Sequence, residues 1–380
     1  MRGRTTLAVT CRALGLGAVL APLVAASAAW AAVNIETVPV GNKGNTGEWS
    51  GESYGGLGPD RVCGAVDYPF NIGKYEVTAG QYCEFLNDVD PNGSNAHGLY
   101  NSSMHTSSYG CQITWNAGAS AYDFSGRPSG TAADWENRPV NYVSWYDAAM
   151  FANWLTSGNI NQGAYNTSAG AGWGDSDAGN YTGITARGSA AMDTLINTYG
   201  KVYLIPTEDE WYKAAYYHAA TTSYNDYPTS SNTAPGYVND SGNLSTTGNP
   251  FVEGGADPGN YATYDGDKGT DGIGSPYYKT VVGEWENSES PYGTFDQGGN
   301  VWEWNEALIS GDYRGLRGGS FSNYGDDHLH ASNRYYLGPT GEVANFGFRV
   351  SEVPEPATLA LLALGGVGLV IGRQTRHRGR

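Results

Sequence analysis

The chain has 380 residues, enough for one large domain or two small ones, with 21 basic against 38 acidic side chains and a formal net charge of −17. Seven of the basic residues (Arg2, Arg4, Arg12, Arg373, Arg376, Arg378 and Arg380) sit in the two end segments, so the body between them is more acidic still. Such a body repels nucleic acid and anionic membrane surfaces, which excludes both as its partners. The 55 glycines, 13% aromatic and 16% charged residues suit a loop-rich fold with aromatic packing between turns, and argue against long regular helices.

Arg2 and Arg4 precede an apolar stretch over residues 7–29, and Ala29-Trp30-Ala31 has the small-x-small form of a cleavage site. Residues 1–31 therefore read as a secretory signal peptide, with a retained membrane anchor as the alternative. Residues 32–66 are Gly-rich and polar and read as an irregular lead-in to a main domain at 67–350. Residues 68–77 alternate well enough for a strand. Thr78 then caps a helix, with Gln81 completing a capping box and Tyr82, Phe85, Leu86 and Val89 at helical spacing. Ser144 and Asp147 start a second helix with Ala148, Phe151, Ala152 and Leu155 as its apolar stripe. Thr207 and Glu210 box a third, carrying Trp211, Ala214 and Ala215, and Pro206 keeps its entry extended. Residues 159–200 and 217–264 are weakly patterned and read as long loops, which normally mark function or an unrecognised element.

Once Cys11 leaves with the signal peptide, Cys63, Cys83 and Cys111 remain, enough for one disulfide with one thiol left over. Cys63–Cys111 is the preferred pairing, because Cys83 lies on a helical stretch where it packs as a small hydrophobe. Residues 351–380 form a second address: Val353-Pro354-Glu355-Pro356, an apolar stretch over 357–372, then a basic tail. Apolar residues flanked by a basic tail make a stop-transfer arrangement. A comfortable transmembrane helix needs about 20 residues, and this stretch falls just short.

The most informative segment is 298–321, with two Trp, clustered Gly and a Glu between aromatics. Burying Trp302 and Trp304 stabilises strongly, since each indole removes roughly 200 Å² from water. Glu303 between them cannot be buried unpaired, so it needs a cation, a metal or a set of N–H donors. Gly-rich pairs at Gly298-Gly299 and Gly318-Gly319 lack the Lys-Ser/Thr of a phosphate loop. Gly51-Glu52-Ser53-Tyr54-Gly55 matches the Gly-x-Ser-x-Gly string, but without the strand and helix a nucleophile elbow needs.

Arg138-Pro139-Val140-Asn141-Tyr142-Val143-Ser144-Trp145, Ile205-Pro206-Thr207-Glu208-Asp209-Glu210-Trp211, Gly299-Asn300-Val301-Trp302-Glu303-Trp304, Arg317-Gly318-Gly319-Ser320-Phe321 and Gly347-Phe348-Arg349-Val350 follow in order. That ordered set resembles the formylglycine-generating enzyme (sulfatase-modifying factor) family over roughly residues 67–350. The resemblance implies an α+β, elaborated C-type-lectin-like fold with little regular secondary structure. It also implies a copper-binding cysteine pair shortly after the Gly-Gly-Ser-aromatic motif, which oxidises a substrate cysteine to formylglycine; thiolates are what copper(I) prefers. The corresponding positions here are Asn323 and His328, and no cysteine follows Cys111. Copper and formylglycine generation are therefore not expected.

The resemblance further implies structural calcium. One ion falls on Asp296, Gly299, Val301 and Glu303, with Asp296 standing where the family has Asn; the other falls on Asn260, Tyr261, Asp271 and Ile273. The C-terminal segment resembles the PEP-CTERM sorting signal of Gram-negative bacteria, which implies processing by an exosortase and delivery to the cell surface or an exopolysaccharide matrix. A simple C-terminal anchor is the alternative there. The expected function is that of an exported, calcium-ordered, non-catalytic binding or extracellular-matrix protein, with an extracellular polysaccharide or another envelope protein as partner. Exposed aromatics among the 28 Tyr and 11 Trp would suit sugar stacking. The alternative is a metal-dependent oxidoreductase with a rearranged site at His328 and His330, which on a strand would share one face and suit zinc, copper or iron. A third reading is a partner subunit for a true modifying enzyme.

Overall fold

The computed structural model describes residues 33–168, 183–238, 257–266, 269 and 271–354. The signal peptide, the apolar stretch 357–372 and the basic tail lie outside the described residues. Among those described, no helix is long and apolar enough to cross a membrane.

Strands β1 (Thr37–Val40), β2 (Glu48–Ser50), β3 (Arg61–Cys63) and β4 (Phe70–Gly73) lead into helix α1 (Ala79–Val89). The single turn α2 (Ser103–Thr106), hairpin β5 (Thr114–Asn116) and β6 (Ala121–Asp123), and short α3 (Ala133–Glu136) precede α4 (Trp145–Ser157). Then come α5 (Ala190–Tyr199), β7 (Val202–Leu204), α6 (Glu208–Tyr216), β8 (Tyr217–His218) and β9 (Ser223–Tyr224). The C-terminal part holds β10 (Trp302–Ile309), β11 (Tyr313–Arg317), β12 (Tyr335–Leu337), β13 (Phe346–Gly347) and β14 (Ser351–Val353). Two four-stranded sheets result, in the orders β1-β4-β14-β7 and β12-β11-β10-β13. The mixture of short helices and strands in a loop-rich chain agrees with the α+β expectation.

The three helices expected from capping boxes form as expected. Thr78, Ser144 and Thr207 each accept the backbone N–H three residues on, and Gln81, Asp147 and Glu210 each reach back to the cap's own N–H. Such caps contribute about 1 kcal/mol apiece. α1 and α4 meet through Tyr82, Phe85, Phe151 and Trp154, with the Phe85 and Phe151 rings edge-on at 5.3 Å. α4 then braces the second sheet, because the Trp145 indole donates to the Asn305 carbonyl and Trp304 donates to the Val143 carbonyl, both at 3.0 Å. Those two bonds hold the strand that begins with the Trp-Glu-Trp motif.

Three expectations are corrected. Residues 32–66 are not an irregular lead-in: β1 pairs with β4 residue for residue, Val40 opposite Phe70, and β2 pairs with β3. The domain also does not end at 350, because β14 is an interior strand whose Ser351 faces both Ile72 and Leu204. Finally, Cys63, Cys83 and Cys111 are all free and buried. Cys63 packs with Trp211 and Tyr212, whereas Cys111 joins the main core with Cys83, so the preferred Cys63–Cys111 pair is split between two apolar clusters.

Candidate functional site

The turn before β10 is set by main-chain bonds: Gly299 N–H donates to the Gly318 carbonyl at 2.9 Å and Asn300 N–H to the Thr263 carbonyl at 2.7 Å. Gly299 has φ 91, and a Cβ there would lie 2.4 Å from the Thr263 carbonyl oxygen, so only glycine lets the two segments meet. The strand that follows lies between two others. Glu303 is opposite Arg317 on one side and Gly347 on the other.

Glu303 is fully buried, and its carboxylate is paired. Arg349 donates from Nε to Oε2 at 2.6 Å and from Nη2 to Oε1 at 2.7 Å, while Trp211 Nε1 donates to Oε2 at 2.7 Å. The other Arg349 donors go to the carbonyls of Gly73, Lys74 and Phe295. The guanidinium is thus held by a bidentate fork of the kind Arg makes best. It joins the Trp-Glu-Trp strand, the first sheet and the loop before Gly299.

Two more acidic side chains, buried Glu76 and half-buried Asp296, lie in the field of this cation. Glu76 accepts from Val301 N–H and from the Asn300 side chain, both at 3.2 Å, and Asp296 Oδ2 accepts from Gly283 N–H at 2.6 Å. Burial pushes the Glu76 carboxyl well above its ordinary range, the charges of Asp296 and Glu303 push it further, and Arg349 opposes. Burial likewise raises Asp296 to about 6, against the Gly283 N–H and Arg349. Three acidic side chains therefore lie in the field of one guanidinium, and burial with their mutual repulsion raises Glu76 and Asp296.

These contacts test the first expected calcium set. Glu303 does not fit as an ion ligand in this arrangement, since both oxygens are committed to Arg349 and Trp211. Asp296 does fit: it is a half-buried, acid-crowded side chain on the same turn as Gly299 and Val301. In the second set, Asn260 and Asp271 both adopt left-handed backbone, with φ 56 and 53. The Asn260 side-chain oxygen accepts from Thr229 at 2.6 Å, and Asp271 Oδ2 accepts from the Tyr109 hydroxyl at 2.9 Å. Tyr261 and Ile273 come together around Trp285 and Val238. The set offers the hard oxygen atoms calcium prefers. Among the described residues, no group of three or more His, Cys, Asp or Glu is placed to hold a metal.

Beyond Gly319, the chain is pinned by a second ionic cluster. Arg317 Nε and Arg334 Nε donate to Glu208 Oε1 at 2.9 and 2.7 Å, and Arg317 also reaches the carbonyls of Ala331 and Asn333. Burial raises the Glu208 carboxyl, but Arg317, Arg334 and Arg61 win and hold it well below the usual range. Inside the loop so fixed, the Ser320 hydroxyl donates to Asn323 Oδ1 at 2.7 Å, and Asn345 Nδ2 donates to Ser320 and Ser322.

His328 ends a 3-10 turn, Asp326–His328, that starts after Gly325 at φ 75. The two histidines are therefore not strand neighbours on one face. The His328 ring lies edge-on to Trp302 at 5.8 Å, with its buried Nδ1 lacking a hydrogen-bond partner. His330 instead contacts Tyr227 at 5.3 Å and shares a bond between Nδ1 and Ser332 Oγ at 2.8 Å.

Residues 40–353 match the family profile described as the sulfatase-modifying factor enzyme 1-like domain. The chain belongs to that family. Residues 352–376 match the PEP-CTERM protein-sorting motif, so this sulfatase-modifying factor-like protein carries an address for the cell envelope that an exosortase recognises. Among solved structures, it is similar to Treponema denticola variable protein 1 at 20% identity and TM-score 0.46, over 85% of this chain and 96% of that one. It is also similar to CarF (19%, 0.41, 85% and 99%) and to PvdO from Pseudomonas aeruginosa (16%, 0.42, 83% and 93%). A search of curated proteins returns no match.

For a member of this family, the chemistry at Asn323 and His328 is an amide and an imidazole where sulfur is expected. Among the described residues, no cysteine is displaced into the gap. Cys63 Sγ accepts from Arg317 at 3.2 Å, Cys83 lies against the Tyr122 carbonyl, and Cys111 is in the main core. Burial pushes the Cys63 and Cys83 thiols up to about 12 and raises Cys111 too, the reverse of what a reactive thiolate needs. Sequence reasoning missed Glu76, Arg349 and Trp211 as the partners around Glu303. The one available signal was the lone acid of Tyr75-Glu76-Val77, an ionisable residue between apolar neighbours just before a helix cap.

Proposed function

We propose that this protein is a non-catalytic member of the sulfatase-modifying factor-like family, a binding or extracellular-matrix protein of a Gram-negative envelope. The observation that carries the proposal is the replacement of the thiol pair by Asn323 and His328, with every described cysteine buried as a protonated thiol elsewhere. Thiolates do the ligation and redox work in the family's reaction, and an amide bonded to Ser320 supplies neither. What the residues present can do is hold a rigid polar surface: Ser320, Ser322, Asn323 and Asn345 bond one another, and Trp302, His328 and Tyr335 pack beside them.

Calcium belongs to the proposal as a loop-ordering ion. Asp296, with the carbonyls of Gly299 and Val301, would hold one ion, leaving Glu303 to Arg349. Asn260, Tyr261, Asp271 and Ile273 would hold the second. A bound ion stabilises the folded loops by mass action and supplies no redox chemistry. Elemental analysis of the purified protein tests this reading. Calcium without stoichiometric copper, iron or zinc is the expected result.

One observation favours a second reading. The buried, unpartnered Nδ1 of His328 is a ligand-type atom without a task, as an imidazole metal site would require. Against it, His330 is turned to Tyr227 and Ser332. Stoichiometric copper or iron that is lost in His328→Ala would establish the oxidoreductase and overturn the non-catalytic role.

A further inference from the structure

The β2–β3 hairpin carries an apolar surface that the fold does not use. Its inner residues, Ser50 and Cys63, are buried, while the cross-strand pair Trp49 and Val62 on the outer face is 53% and 41% exposed. The connecting loop adds Tyr54 at 46% and Leu57 at 43%, so four of the eight large exposed hydrophobics among the described residues fall on this one element. The Trp49 and Tyr54 rings are nearly parallel, 9° apart with centroids at 5.5 Å. An offset stack of this kind covers part of one face of each ring, and the remaining exposure of Trp49 and Tyr54 leaves aromatic surface turned to solvent.

The loop that carries the rings is fixed. Gly51 N–H donates to the Ser332 carbonyl at 2.9 Å, the Ser50 hydroxyl to the Ala331 carbonyl at 2.8 Å, and Arg334 N–H to the Leu57 carbonyl at 3.0 Å. A second tie runs from the Arg334 guanidinium to the Pro59 carbonyl, and Ser53 N–H closes the loop on Asp60 Oδ1 at 2.9 Å. Backbone packing is so close that a Cβ on Gly56 would lie 1.9 Å from the Ser332 carbonyl oxygen. The exposed rings are therefore preorganised, which lowers the entropic cost of binding.

We propose that Trp49 and Tyr54 form a stacking platform for an uncharged polysaccharide. A pyranose with equatorial hydroxyls has two faces of axial C–H groups, which stack on aromatic rings while the hydroxyls at its edge stay hydrogen-bonded. Trp and Tyr suit this, each joining an apolar face to a polar edge. Glu52, Ser53 and Asp60 are exposed in the same loop and supply acceptors and a donor for sugar hydroxyls. The negative charge of Glu52 and Asp60, on a chain of net charge −17, disfavours an anionic polysaccharide. A protein partner fits less well: four half-exposed side chains offer on the order of a few hundred Å², below the ~800 Å² each side of a stable interface buries. The sorting motif, which directs the chain to the envelope, places it where such polymers occur.

The inference deepens the proposed binding role but uses none of the residues that carry it. Full-length protein titrated calorimetrically with cellohexaose and chitohexaose, with hexagalacturonate as the anionic comparison, tests it. At least one neutral oligosaccharide should bind and hexagalacturonate should not. Trp49→Ala and Tyr54→Ala should each weaken binding roughly tenfold, the scale of one lost stacking contact. Trp49→Phe should keep most of the affinity, and all three variants should melt as the unmodified protein does, since the side chains are exposed. Absence of heat with both neutral oligosaccharides, or equal affinity in the two alanine variants, overturns the platform. Concentration-dependent self-association that Trp49→Ala abolishes, without glycan binding, also overturns it and makes the hairpin a protein interface. Glycan binding by a preparation that also generates formylglycine would sink the non-catalytic role and leave the platform standing.

Discussion

Glu303→Ala removes the carboxylate on which three segments converge. Arg349 keeps the Gly73, Lys74 and Phe295 carbonyls but loses both charged bonds, and Trp211 Nε1 loses its acceptor. Breaking a buried ion pair from one side costs about 3–5 kcal/mol, because the surviving ion is left in a poor solvent. The orphaned indole N–H adds about 1–3 kcal/mol. Part of this is offset, since Glu76 and Asp296 lie within electrostatic reach of Arg349 and lose their repulsion from Glu303. A net loss of about 4 kcal/mol is expected. For a domain this large, at roughly 2–4 °C per kcal/mol, the melting temperature should fall by about 8–16 °C. Thermal melts followed by circular dichroism, backed by guanidinium titrations, measure it. Glu303→Leu combined with Arg349→Met should recover part of the loss, because the pair leaves together. A drop below about 2 °C for Glu303→Ala would refute the view that this pair is the junction of the fold.

Asp147 gives a pH dependence of definite sign. Burial raises its carboxyl from 3.8 to about 7, against the Ser144 bonds and with help from Glu342. The folded state therefore holds a proton that the unfolded state has released between about pH 4 and 7, so this group's contribution falls as pH rises through that window, by up to about 4 kcal/mol. Asp147→Asn should gain stability relative to the unmodified protein at pH 8 compared with pH 4.5; an equal difference at both pH values would contradict the assignment. Gly299→Ala should destabilise by about 2 kcal/mol or more, since it adds a Cβ against the Thr263 carbonyl at φ 91; an unchanged denaturation midpoint would show that the turn can relax. Added calcium should raise the melting temperature and a chelator lower it, with a smaller response in Asp296→Ala. A response that is identical in the variant would remove Asp296 from the site.

What could be read from the sequence was what is decided locally. The capping boxes at Thr78, Ser144 and Thr207 involve residues three apart, so they announce their helices without help from the rest of the chain. α5 went unread although Ser189 caps it, because only Met192 and Ile196 are buried and the apolar stripe is thin. β1, β2, β3 and β14 are three- or four-residue strands whose existence rests on distant partners, such as Ser351 between Ile72 and Leu204. The need of Glu303 for a positive or N–H-donating partner followed from burial alone. Its identity did not, because Arg349 and Trp211 are remote in sequence and meet it only when helix α6 and the β13–β14 connection fold against β10. The same limit explains the histidines. Spacing puts His328 and His330 on one face of a strand, but a left-handed Gly325 turns the chain into a 3-10 turn and sends the rings to Trp302 and Tyr227.

The absence of sulfur at Asn323 and His328 has one direct chemical consequence. Purified full-length protein, incubated in air with copper and a cysteine-bearing sulfatase peptide, can be assayed by mass spectrometry for loss of the thiol and gain of an aldehyde. The cysteine should emerge unmodified. Formylglycine in the peptide, produced in proportion to the protein added, would contradict a non-catalytic role.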